Sequence, residues 1–236
     1  MQGTSTAQPA GLLTRRKAET AREIAEEAAR LFAERGVAGV TAAEIAAAAG
    51  VSLRTFYRYF ATKEDAVAPV LEIGAARWQA AWAAALSEGA LSASAVRSGA
   101  AAEAVHRIIA AELAPVADDA AQELGRMRPL LRALAEDREL RAVWHRVNHD
   151  SEDRIVALLV EGGRADGGRA DEGPAGGGRA DGLDRIDARI LTAAATEAIR
   201  IGLEEWAIGD EDVRGAASPA VLATWVFDAL APAPRP

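Results

Sequence analysis

Cysteine is absent from all 236 residues. That excludes a disulfide scaffold, a cysteine-ligated zinc finger and thiol catalysis, and fits a reducing compartment. Lys17 and Lys63 are the only lysines among 27 basic residues. Aromatic residues make up just 5% of the chain, and β-branched residues are sparse, which argues against strands. No apolar run approaches the roughly 18 residues that a spanning helix needs. The start of the chain lacks the charged-then-apolar pattern of a secretion signal. The expectation is a cytoplasmic protein without a membrane anchor.

What is abundant is alanine, the residue with the best helix propensity, in a chain that is 50% hydrophobic and 24.6 kDa in mass. A chain of this mass buries roughly 70% of its unfolded surface, enough for a substantial core. The net charge of −8 is unevenly placed: residues 11–65 hold nine basic and eight acidic side chains, so the excess acid lies beyond them. An acidic body on a near-neutral head is not a uniformly cationic nucleic-acid coat, but it accommodates a local phosphate-binding face.

Apolar spacing predicts an all-α chain. Residues 1–12 read as a disordered arm. A helix from Thr14 carries Ile24, Ala25, Ala28, Leu31 and Phe32 on one stripe and stops at Gly36. Thr41 with Glu44 forms a capping box that opens a short helix ending near Gly50, and Ser52 caps a second, 53–60. A longer helix from Thr62 to about Leu86 contains Pro69, which is expected to kink it. Further helices are expected over 94–114, 118–136, 138–161, 184–209 and 218–230. Between them residues 162–182, with three copies of Gly-Gly-Arg-Ala-Asp, read as a flexible loop.

The most informative stretch is 41–60, TAAEIAAAAGVSLRTFYRYF. Ile45, Ala46, Ala49, Val51, Phe56 and Phe60 can share one small core beneath two short helices joined at Gly50, which is helix-turn-helix logic. The second helix then offers Leu53, Arg54, Thr55, Tyr57 and Arg58 outward, with Ser52 at its start. Arginine can address guanine O6 and N7 together, threonine can touch a base or phosphate, and Tyr57 offers a hydroxyl to a phosphate. Lys63 adds charge at the next helix's N-terminus.

In these residues the chain resembles the N-terminal domain of the TetR family of bacterial transcriptional regulators, over about Arg16 to Val70. The matching positions are Thr41, Ile45-Ala46, Ala49-Gly50-Val51-Ser52, Thr55-Phe56-Tyr57, Tyr59-Phe60 and Lys63-Glu64. The resemblance implies a DNA-binding domain over 13–62 and a helical effector-binding and dimerisation domain over 63–231. It implies phosphate contacts from Thr41, Tyr57 and Lys63, and base reading from Ser52, Leu53, Arg54, Thr55 and Arg58, with Tyr59 in the same DNA-facing set. Ala42 and Ala43 stand where the first helix often offers a polar side chain, so more of the reading falls to Arg54 and Arg58. It also implies a homodimer, paired through the last two helices, on a pseudo-palindromic double-stranded DNA operator, and repression relieved when a small effector swings the 63–86 helix.

The effector is expected to be apolar or amphipathic, within walls drawn from Trp78, Trp82, His106, Ile109, Met127, Leu131, Trp144, Asn148 and Arg200. Trp206 is another candidate wall, Trp225 suits a dimer face or core, and Arg200 with Glu197 could instead form an interface pair. For His106 a satisfied core histidine is the plainer reading. No cofactor, metal or catalytic residue is expected, since no nucleotide-cradling glycine motif or Ser-His-acid set occurs. Two alternatives stand beside this reading. One is a metal-dependent or enzymatic helical dimer using His145, His149 and Glu152. The other is an adaptor that has lost DNA binding.

Overall fold

A computed structural model describes residues 9–114, 117–165 and 183–231; these form α-helices with no strand among them. The helices are α1 (Pro9–Arg35), α2 (Ala42–Ala48), α3 (Leu53–Tyr59), α4 (Ala68–Ser87), α5 (Ala93–Ser98), α6 (Ala100–Leu113), α7 (Asp118–Glu136), α8 (Arg138–Ala165), α9 (Arg185–Ile208) and α10 (Pro219–Leu230). No described helix is long and apolar enough to cross a membrane. The chain divides into two compact units. One runs to Ile73 and includes Ala133–Trp144; the other holds Gly74–Arg132 and the chain from His145 onward.

In the first unit the stripe of α1 is buried as its spacing requires: Ile24, Ala25, Ala28, Leu31 and Phe32 are enclosed, as are Ile45, Ala46, Phe56 and Phe60. α1 packs on α2 and on a 3-10 turn at Asp65–Val67, and α2 packs on α3. Burying an aliphatic or aromatic side chain of this kind contributes about 1.5–3 kcal/mol. The second unit is organised around α9 and α10, with α6 against both. Its core includes Trp82, Leu91, Ile109, Leu159, Leu191, Ala195 and Phe227.

Several boundaries differ from expectation. α1 begins at Pro9, a residue suited to a first helical turn, so 9–12 are helical; the rest of the expected arm lies outside the described residues. Pro69 does not kink a long rod. The 3-10 turn comes first, and Pro69 is the second residue of α4, where its missing N–H would have had no intrahelical acceptor. The single helix expected over 94–114 is two, because Gly99 sits at φ 84° in the left-handed region that only glycine enters readily. α8 carries on through Ala165, four residues into the expected loop, and the remainder of that loop lies outside the described residues.

Two arginines of the second unit make contacts that helical spacing does not reveal. Arg128 of α7 donates to the carbonyls of Trp206 and Gly209 (both 2.7 Å) and of Glu211 (2.7 Å), and its guanidinium lies 4.4 Å from the Trp206 ring centroid. One turn on, Arg132 donates to the carbonyls of Ala207 and Gly209. Cations at a helix C-terminus meet its negative end and its unbonded carbonyls, so this pair clamps the last turn of α9.

Candidate nucleic-acid interface

The helix-turn-helix is built by its caps. The Thr41 hydroxyl accepts from Glu44 N–H (3.3 Å), and the Glu44 carboxylate accepts from Thr41 N–H (2.8 Å) and the Thr41 hydroxyl (2.7 Å). Arg35 donates to that carboxylate (2.7 Å) and to the Gly39 carbonyl (2.6 Å). These donors hold the Glu44 carboxyl down to about 2, with the Thr41 hydroxyl the largest cause and Arg35 next. α2 ends at a turn where Gly50 has φ 67°. Ser52 then opens α3 by accepting from Thr55 N–H (3.1 Å), with the two hydroxyls 2.9 Å apart.

α3 presents two faces. Phe56 is fully buried and meets Phe60 at 5.7 Å. On the other side Ser52, Leu53, Arg54, Tyr57 and Arg58 are exposed, while Thr55 and Tyr59 are half-buried. Tyr57, 55% exposed, meets Phe56 edge to face (5.4 Å). The guanidinium of Arg58 lies 5.4 Å from the Tyr59 ring centroid. Two of the donors expected to face DNA are engaged within the protein. Thr41 bonds Glu44, and Lys63 donates to the carbonyls of Val37 (2.6 Å) and Val40 (2.8 Å) with Glu64 3.8 Å away. Lys63 therefore braces the loop between α1 and α2, and a phosphate would have to share its ammonium.

Residues 20–68 match the family model described as bacterial regulatory proteins, tetR family. This segment is similar to the TetR family. The TetR match covers both helices of the motif, their caps and Lys63. Among solved structures, the chain is similar to the multidrug binding protein EbrR complexed with imidazole (22% identity, 91% of this chain and 96% of that one, TM-score 0.49). It is likewise similar to the fatty acid degradation regulator FadR from Bacillus halodurans (19% identity, 96% of both chains, TM-score 0.47). No curated protein matches the chain.

The residues expected to wall an effector site fall in both units. Trp78 and Trp82 are buried on α4, edge-to-face at 5.6 Å. Ile109 and Leu131 are buried, and Met127 and Asn148 half-buried, in the same second unit. Trp144 is buried in the first unit, because the start of α8 belongs there. His106 is not a core histidine: its side chain is partly exposed, with Nε2 3.7 Å from Asp228. Arg200, its side chain largely enclosed, is ion-paired with Glu197 and Glu204 (2.5 Å for the latter) on its own helix. These carboxylates raise the Arg200 guanidinium further above its ordinary value, with the Glu197 bond the main cause. His149 faces Asp153 at 3.9 Å, and no three metal-ligating side chains among the described residues converge, so His145, His149 and Glu152 form no centre.

Proposed function

We propose that this chain is a homodimeric, ligand-responsive transcriptional regulator, a repressor that holds a pseudo-palindromic operator through α3 and releases it when a small apolar or amphipathic effector binds. The observation that carries the reading is the exposed outer face of α3, with Ser52, Arg54, Tyr57 and Arg58 on it, inside a segment that matches the TetR family. In this reading residues 13–62 are the DNA-binding domain and 63–231 the effector-binding and dimerisation domain of a cytoplasmic protein with no catalytic role. Arg54 and Arg58 read base edges from the major groove, with Ser52, Leu53 and Thr55 beside them. Tyr57 and, after loosening their internal bonds, Thr41 and Lys63 meet phosphates.

A second copy is supported by the unpartnered apolar side chains of the last two helices: Ile186, Ile190 and Ile208 on α9, and Val221 and Trp225 on α10. A two-fold pair sets two recognition helices on half-sites about one DNA turn apart, roughly 34–36 Å. The effector releases DNA only to the extent that it binds the non-matching conformation more tightly.

The test is retardation of DNA from upstream of the protein's own gene, at stated ionic strength because phosphate-driven affinity falls steeply with salt. Arg54→Ala should weaken specific binding by about 1–3 kcal/mol and relax selectivity at one base position. Equal selection of the operator by variant and parent overturns the assignment of Arg54.

A further inference from the structure

Exposed apolar side chains call for an explanation when they are neighbours rather than scattered. Among the described residues of the first unit, the large apolar side chains left exposed are Leu53, Tyr57 and Ile73. Leu53 and Tyr57 both lie on α3, four positions apart, so they stand one above the other on its surface. Leu53 is 42% exposed. Arg54 and Arg58, also exposed and four positions apart, form a second row beside the first. The outer face of α3 is thus a row of apolar surface next to a row of cations.

The hydroxyls beside Leu53 are occupied. Ser52 Oγ accepts from Thr55 N–H (3.1 Å) and lies 2.9 Å from Thr55 Oγ1, so both hydroxyls are engaged in the cap. Leu53 follows directly on Ser52, and its side chain has no hydrogen-bonding atom. It cannot address a phosphate, nor the donors and acceptors of a base edge. In the major groove the base edges offer one apolar group, the C5-methyl of thymine. The buried residue of α3 is Phe56, and Leu53 is left at the surface. The Tyr57 ring, next in the same row, extends the apolar surface, while its hydroxyl can still meet a phosphate.

We propose that Leu53 selects thymine: its side chain packs on the C5-methyl of one thymine in each operator half-site, alongside the base contact of Arg54. The methyl sets thymine apart from cytosine, adenine and guanine, so a leucine selects a base without making a hydrogen bond. Removing one methyl group from water is worth a preference of about three- to fivefold. The inference rests on the regulator reading and deepens it by naming the base feature that the apolar row of α3 recognises.

The test uses the full chain and the duplex that it selects from upstream of its own gene, at fixed ionic strength. Each thymine is replaced in turn by uracil, which pairs identically and lacks only the methyl. At one position in each half-site uracil should weaken binding about three- to fivefold. This scan needs no variant, so misfolding cannot mask it. Leu53→Ala should then bind the thymine and uracil duplexes alike. Tyr57→Phe should weaken both duplexes and keep the discrimination, because only the hydroxyl is removed. The proposal is overturned if no uracil position weakens binding by the parent, or if Leu53→Ala still prefers thymine. Operator selection that is indifferent to uracil would strike this inference alone. Binding without any sequence preference would strike the regulator reading, and this inference with it.

Discussion

Glu44 does three jobs with one carboxylate: it closes the capping box, orients the Thr41 hydroxyl and anchors Arg35. Its carboxyl is held at about 2, below the ordinary 4.5. A group depressed on folding lends stability that is fully present above its unfolded value and disappears as pH falls through its folded one. The α2 cap should therefore weaken between about pH 4.5 and 2, seen as a falling melting temperature over that window. Glu44→Gln should flatten this part of the profile and leave the curve near neutrality lower than the parent's. A profile that falls as steeply in the variant would show that other carboxylates govern the acid limb. Lys63 teaches a related lesson: its charge is legible in the sequence, but the two carbonyls that hold it come from residues more than 20 positions away.

At the scale of elements, α9 and α10 pack closely at Gly202. A Cβ on Gly202 would stand 2.6 Å from the Ala223 backbone nitrogen and 2.7 Å from its Cβ. Neither is the yielding end of a flexible side chain, so the helices would have to separate. Gly202→Ala should lower the unfolding free energy by about 1–3 kcal/mol in denaturant titration, despite alanine's better helix propensity. An unchanged or raised midpoint would mean that the crossing gives way freely. The arginine clamp of Arg128 and Arg132 acts at the same end of α9, tying its last carbonyls to α7.

For the whole molecule, the decisive feature is the set of large apolar side chains that α9 and α10 leave exposed among the described residues. Trp225 is 70% exposed and Ile186 61%, on two helices that pack against each other. In the dimer reading a second copy covers them. Trp225→Asp should then sediment at half the parent's mass, and its affinity for a two-half-site operator should fall on the order of 100-fold, since two heads no longer bind as one. If the variant remains a dimer, the pairing surface lies elsewhere.

The sequence by itself determined whatever depends on neighbours along the chain. Helical spacing, the Thr41 and Ser52 caps and the buried side of α3 are all local, and they were enough to read the class of fold and the motif. Tertiary structure decided the rest. It put Pro69 in the first turn of α4, broke the 94–114 segment at Gly99, assigned Trp144 to the first unit and engaged Lys63 with loop carbonyls. Periodicity says which side of a helix is buried. It cannot say what that side is buried against, because hydrogen-bond partners and counter-charges come from residues dozens of positions away.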